Sequence, residues 1–204
     1  MIHILISACL IGENCKWDGT NNRNQGVLEF MKKMEGKAEF HPVCPEQLGG
    51  LPTPRAASEI HMPDEAVINT EGEDVTGEFL LGADAALQTA KKYGCEIAIL
   101  KDRSPSCGSN GVYDGSFSHK LREGMGKTAA VLAGYGLKVY GESQIEELVD
   151  LLDKGMKEGC DWREGRGELP GRGAGDAGRV PLGLRETAKG GRVEVASAFY
   201  IGIF

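Results

Sequence analysis

Three strand-to-loop junctions constrain this chain most, because each presents a cysteine just past the end of a stretch that reads as a strand. Ile4-Leu5-Ile6-Ser7-Ala8 runs into Cys9, and Glu39-Phe40-His41-Pro42-Val43 runs into Cys44. Ile97-Ala98-Ile99-Leu100 runs into Lys101-Asp102-Arg103-Ser104-Pro105-Ser106-Cys107-Gly108, a Ser-Pro-Ser turn closed by glycine. Apolar runs without strict alternation suit strands covered on both faces. Helical spacing fills the segments between them. Val27, Phe30, Met31 and Met34 share a face over 26–36, and Phe79, Leu80, Ala83, Leu87 and Ala90 share one over 76–93. Thr76 is expected to cap the second helix and Gly94 to end it. Further helices are expected over 127–133 and 144–156, with a short strand at 138–140 between them.

Strands alternating with helices predict an α/β fold, a Rossmann-like three-layer domain with a mostly parallel sheet and right-handed crossovers. Ligands of such sheets bind beyond the carboxyl ends of the strands, where strand order reverses. Cys9, Cys44 and Cys107 all fall at that C-terminal edge. The stretch from Pro42 to Pro54 holds four prolines and Gly49-Gly50, and is expected to be a rigid irregular loop with no regular element. A short hairpin is expected around Ile60 and Val67-Ile68. Trp17-Asp18-Gly19 and Tyr113-Asp114-Gly115 are matching turn signals, with Asp18 and Asp114 shaping the turns.

The chain divides by composition near residue 156. Residues 160–204 hold six of the ten arginines, one of the thirteen lysines and ten glycines, with too few apolar residues in 165–178 to build a core. Residues 1–156 are therefore expected to form the α/β domain and 157–204 a Gly/Arg-rich extension, whose last segment, 196–204, is apolar. A formal net charge of −7 argues against a nucleic-acid surface. No apolar run reaches the length of a membrane span. Met1-Ile2-His3-Ile4 enters a strand directly, without the basic and apolar regions of a secretory signal, so a cytoplasmic location is expected. In a reducing compartment six cysteines do not read as a disulfide framework.

Three thiolates at one sheet edge can hold a soft metal or an iron–sulfur cluster. Structural zinc takes closely spaced cysteine pairs, and these three cysteines lie in separate loops, so a larger cluster fits better. Cys95 and Cys160 read as buried fillers. Cys15 shares the loop of Cys9 and is open to either reading. Glu46, two residues past Cys44, is a candidate acid–base group or a solvated loop charge. Ser104 is a candidate donor to substrate or a turn starter. Lys101 could offset cluster charge, Arg103 reads as a surface cation, and Trp17 and Tyr113 could stack on a planar ring or pack in the core. His41 and His61 read as ordinary loop histidines. Gly108-Ser109-Asn110-Gly111 matches no nucleotide-binding pattern.

Together, Ser7-Ala-Cys-Leu-Ile-Gly12 with Cys15-Lys-Trp-Asp-Gly19, Pro42-Val-Cys-Pro-Glu46 with Gly49-Gly-Leu-Pro-Thr-Pro-Arg55, and Leu100-Lys-Asp-Arg-Ser-Pro-Ser-Cys-Gly108 with Tyr113-Asp-Gly115 closely resemble a bacterial family whose studied members are thiouracil desulfidases. The resemblance covers about residues 2–150. It implies a [4Fe–4S] cluster held by three cysteines, matching Cys9, Cys44 and Cys107, with the fourth iron open to the sulfur of a thiolated pyrimidine. It further implies hydrolytic, non-redox C–S cleavage to the oxo-base and sulfide, with Glu46 and Ser104 as the acid–base pair. The extension is not part of the resemblance. Two rivals remain at this stage: a sulfur-transfer enzyme, and a non-catalytic metal- or cluster-bearing sensor with Cys15 as fourth ligand.

Overall fold

The structure, a computed structural model, describes residues 1–158. Strand β1 (Ile2–Ser7) leads through a 3-10 turn at Ala8–Ile11 to helix α1 (Gln25–Lys33). Asn24 caps α1 by accepting the Val27 N–H. Strand β2 (Ala38–Val43) is followed by a one-turn helix α2 (Pro45–Leu48) and by an antiparallel hairpin of β3 (Ser58–Ile60) and β4 (Val67–Asn69). Helix α3 (Thr76–Tyr93) ends at Gly94 in a left-handed conformation and feeds β5 (Ile97–Leu100). A second small hairpin, β6 (Val112–Tyr113) with β7 (Leu121–Arg122), precedes α4 (Lys127–Tyr135), β8 (Lys138–Gly141) and α5 (Ile145–Glu158).

The main sheet has the order β2-β1-β5-β8 and every pairing in it is parallel. Alternation along β1 assigns its side chains to two cores. Ile4 and Ile6 pack with Val27 and Phe30 of α1, with Met34 just past its end, and with Ile145, Leu148 and Leu152 of α5. Leu5 packs on the other face with Ala86 and Ala90 of α3 and with Ala129 and Leu132 of α4. This is the expected three-layer, Rossmann-like arrangement. The chain leaves β1 for β2 on one side and later returns to β5 on the other, which places a switch point at the carboxyl end of β1.

Two local expectations are corrected. The proline-rich stretch contains the helix α2, because Pro45 occupies its first turn, where a missing N–H costs nothing. Thr76 is the first residue of α3 and not its cap: Asp74 accepts the Thr76 N–H, while the Thr76 hydroxyl accepts the Val67 N–H and ties the helix to β4. The expected hairpin around Ile60 and Val67 is present. No helix among the described residues is long and apolar enough to cross a membrane. Cys160, the 165–178 glycine run and the apolar 196–204 segment lie outside the described residues.

Candidate functional site

Three neighbouring parallel strands each deliver one cysteine to a single cavity of about 550 Å³. Cys9 sits in the 3-10 turn after β1, Cys44 links β2 to α2, and Cys107 lies in the turn after β5. That turn is built by Ser104, whose Oγ accepts the backbone N–H groups of Ser106 and Cys107, each at 3.1 Å. Ser7, buried at the end of β1, accepts the Lys101 N–H at 3.1 Å and donates its hydroxyl to the Cys107 sulfur at 3.4 Å. One serine thus locks the ends of β1 and β5 to the third cysteine.

Cys15 lines the same cavity and lies against two of the three. Hydrogen bonding from its thiol is the main cause that lowers Cys9, and the main cause that brings Cys44 down to about 7. Cys15 itself is driven strongly upward by the same two contacts, so it is the thiol that keeps its proton. Burial pushes Cys107 up to about 12, against the lowering effect of the Ser7 hydroxyl. Cys9, Cys44 and Cys107 reach the cavity from three separate loops, a presentation that suits a polynuclear cluster contacted from several sides.

Glu46 enters the cavity from α2. That helix lies directly on α3 through two glycines: a Cβ on Gly49 would sit 1.9 Å from Glu78 O, and one on Gly82 1.9 Å from Pro45 O. Only residues without a side chain permit this approach. Arg55 then fixes the carboxylate, with Nε donating to Glu46 Oε2 at 2.7 Å. The same guanidinium donates to Pro52 O, to Thr53 Oγ1 and, at 2.9 Å, to Cys15 O. Arg55 therefore joins the Glu46 loop to the Cys15 loop.

The remaining sequence candidates divide. Lys101 and Arg103 line the cavity, but the Lys101 ammonium is committed to Glu142. Trp17, Tyr113, Phe117 and His119 line the wall. Asp18 and Asp114 act as turn formers, accepting the N–H of Thr20 and of Ser116. Glu59, buried on β3, accepts the N–H groups of Gly115 and Phe117 at 3.0 and 2.9 Å and so holds the aromatic wall in place. His41 is not in a loop: it lies buried in β2, away from this cavity.

Sequence reasoning assigned no role to Ser7, Arg55 or Glu59. Ser7 carried a usable signal, a polar residue on the same strand face as Leu5 at a carboxyl end. Arg55 reaches Glu46 9 residues back and Cys15 O 40 residues back, and the partners of Glu59 are 56–58 residues away, so only the Arg55–Glu46 pair lies within one stretch of sequence.

The 2-thiouracil desulfurase family model matches residues 4–144. An uncharacterized protein, YbbK of Bacillus subtilis (strain 168), is 37% identical over 154 residues, covering 72% of this chain and 99% of that protein. Among solved structures, a [4Fe-4S]-dependent thiouracil desulfidase, TudS, is 39% identical and superposes with a TM-score of 0.68, covering 76% of this chain and 99% of that one.

Proposed function

The chain belongs to the 2-thiouracil desulfurase family, and from that premise we propose that it is a [4Fe–4S]-dependent desulfidase acting on thiolated pyrimidines. The observation that carries this reading is the convergence of Cys9, Cys44, Cys107, Glu46 and Ser104 on one cavity. Cys9, Cys44 and Cys107 would hold the cluster. When bound, the cluster would supply a thiophilic, Lewis-acidic iron that makes sulfide a better leaving group.

The chain's own residues do the rest. Trp17 and Tyr113 offer aromatic faces for a planar pyrimidine. Glu46 takes a proton from water through the carboxylate that Arg55 orients. The Ser104 oxygen is occupied by two backbone N–H groups, so its hydroxyl proton is free to be donated toward the substrate ring. Overall the C–S bond breaks, a C–O bond forms from water, sulfur leaves as sulfide and no net electrons are exchanged. Residues 1–156 form the catalytic domain in this proposal, and 157–204 an extension outside the family match.

A specific contact favours a second reading. Cys15 touches both Cys9 and Cys44, as a fourth ligand closing the site would. The deciding experiment is iron and acid-labile sulfide content after anaerobic reconstitution, followed by sulfide release from 2- and 4-thiouracil. About four irons per chain with sulfide release supports the desulfidase. A full cluster without release from either compound refutes the substrate class, and one zinc per chain without labile sulfide refutes the cluster.

A further inference from the structure

At the opposite end of the sheet from the cysteines, three ligand-type side chains from two paired strands meet. His3 and Glu39 are register partners in β1 and β2, and His41 follows two residues along β2 on the same face. His3 Nδ1 lies 3.1 Å from His41 Nε2 and 3.7 Å from Glu39 Oε2, and one ligand atom from each residue falls within 4.8 Å of the others. Around a divalent ion with bonds of about 2.0–2.2 Å, tetrahedral donors sit about 3.3–3.6 Å apart, so these separations bracket a common metal position. The two imidazoles are held independently of any ion. His41 as a residue is 6% exposed, and its ring stacks on Tyr93 with centroids 4.0 Å apart and planes 15° from parallel. His3 and Glu39 keep side-chain exposures of 32% and 53%, which leaves an entry path from solvent.

We propose that His3, Glu39 and His41 form a second metal site, for a zinc-type divalent transition metal, that clips the edge strand β2 to β1 near the amino ends of the strands. Two imidazoles and one carboxylate suit zinc and its neighbours, while magnesium and calcium favour oxygen donors alone. The last turn of α3, which carries Tyr93, adds the partial negative charge of a helix carboxyl end beside the ion. Ser7, where β1 reaches the cavity, is four residues beyond His3, about 13 Å at the rise of a strand. The site is thus distinct from the cysteine cavity, and its role is to brace the two strands that carry Cys9 and Cys44. This inference does not depend on the proposed activity.

The test is zinc titration of the anaerobic, cluster-loaded protein in competition with a chromophoric chelator, with iron content checked before and after. One equivalent should bind without loss of iron, and zinc-edge X-ray absorption should show nitrogen and oxygen scatterers only. Zinc should also raise the melting temperature, because it binds the folded chain alone. His3→Ala and Glu39→Gln, both at accessible positions, should each weaken binding at least tenfold and abolish the thermal shift, whereas Glu35→Gln should change neither. Unaltered zinc affinity in both site variants, sulfur scatterers at the zinc edge, or no binding at micromolar zinc would each overturn the proposal.

Discussion

Arg55 Nε donates to Glu46 Oε2 at 2.7 Å, and the two side chains are only 6% and 18% exposed, so the candidate general base is half of a largely buried ion pair. Breaking such a pair by removing one partner typically costs about 3–5 kcal/mol, since the other charge is left uncompensated. Arg55→Ala should therefore lower stability by an amount of that order and also reduce kcat. Glu46→Gln should retain the cluster, remain folded and lose about 10²–10⁴ in rate. Chemical denaturation and steady-state sulfide release separate the two effects. Normal turnover in Glu46→Gln would remove Glu46 from the acid–base role.

The two kinds of cysteine in the cavity should respond differently. Cys9→Ala, Cys44→Ala and Cys107→Ala should each abolish cluster incorporation, read as iron per chain and visible absorption. Cys15→Ala should keep about four irons per chain, because its thiol acts as a hydrogen-bond donor to its neighbours. Loss of the cluster in Cys15→Ala would establish a closed four-cysteine site.

Gly82→Ala tests whether helix contact sets the catalytic geometry. The added methyl would meet Pro45 O at 1.9 Å, a backbone atom that cannot move without α2. The expected result is a folded protein with a normal cluster but a rate reduced tenfold or more, because Glu46 moves with its helix. An unchanged rate would show that α2 can shift without displacing the carboxylate.

The turn between the cavity-lining Tyr113 and Phe117 should carry a pH signature at Asp114. The Ser116 hydroxyl first, and the Ser116 N–H next, hold its carboxyl below the ordinary 3.8, with Lys120 adding to the effect. Because the folded chain then binds fewer protons than the unfolded one, the contribution is complete above 3.8 and is lost as pH falls through the lowered value. A carboxyl NMR titration should place the Asp114 midpoint below 3.8, with amide shifts of Ser116 following it. A midpoint at or above 3.8 would mean that the turn does not hold in solution.

The chain order of strands and helices, and the edge at which the cysteines emerge, could be read from the sequence because both are local properties. Apolar runs of four to six residues mark buried strands, spacings of three and four mark helix faces, and a cysteine directly after a strand must appear at its carboxyl end. The parallel sheet follows from alternation alone. The same local reasoning denied any helix to the proline-rich stretch, since it counted prolines without asking which one stood at a first turn, where Pro45 is tolerated.

What tertiary structure alone decided is how these groups meet. Cys15 was ambiguous in sequence, and only folding of its loop places it against both Cys9 and Cys44. Arg55 reads as a loop cation until the chain turns back and seats it between Glu46 Oε2 and Cys15 O. Lys101, which in sequence could balance a cluster's charge, is neutralised by Glu142, 41 residues on. His3, Glu39 and His41 become a cluster only because β1 and β2 pair in one register. Local pattern determines which elements form and where they end; the relative placement of side chains from different elements depends on packing, register and long-range ion pairs, which no window of sequence contains.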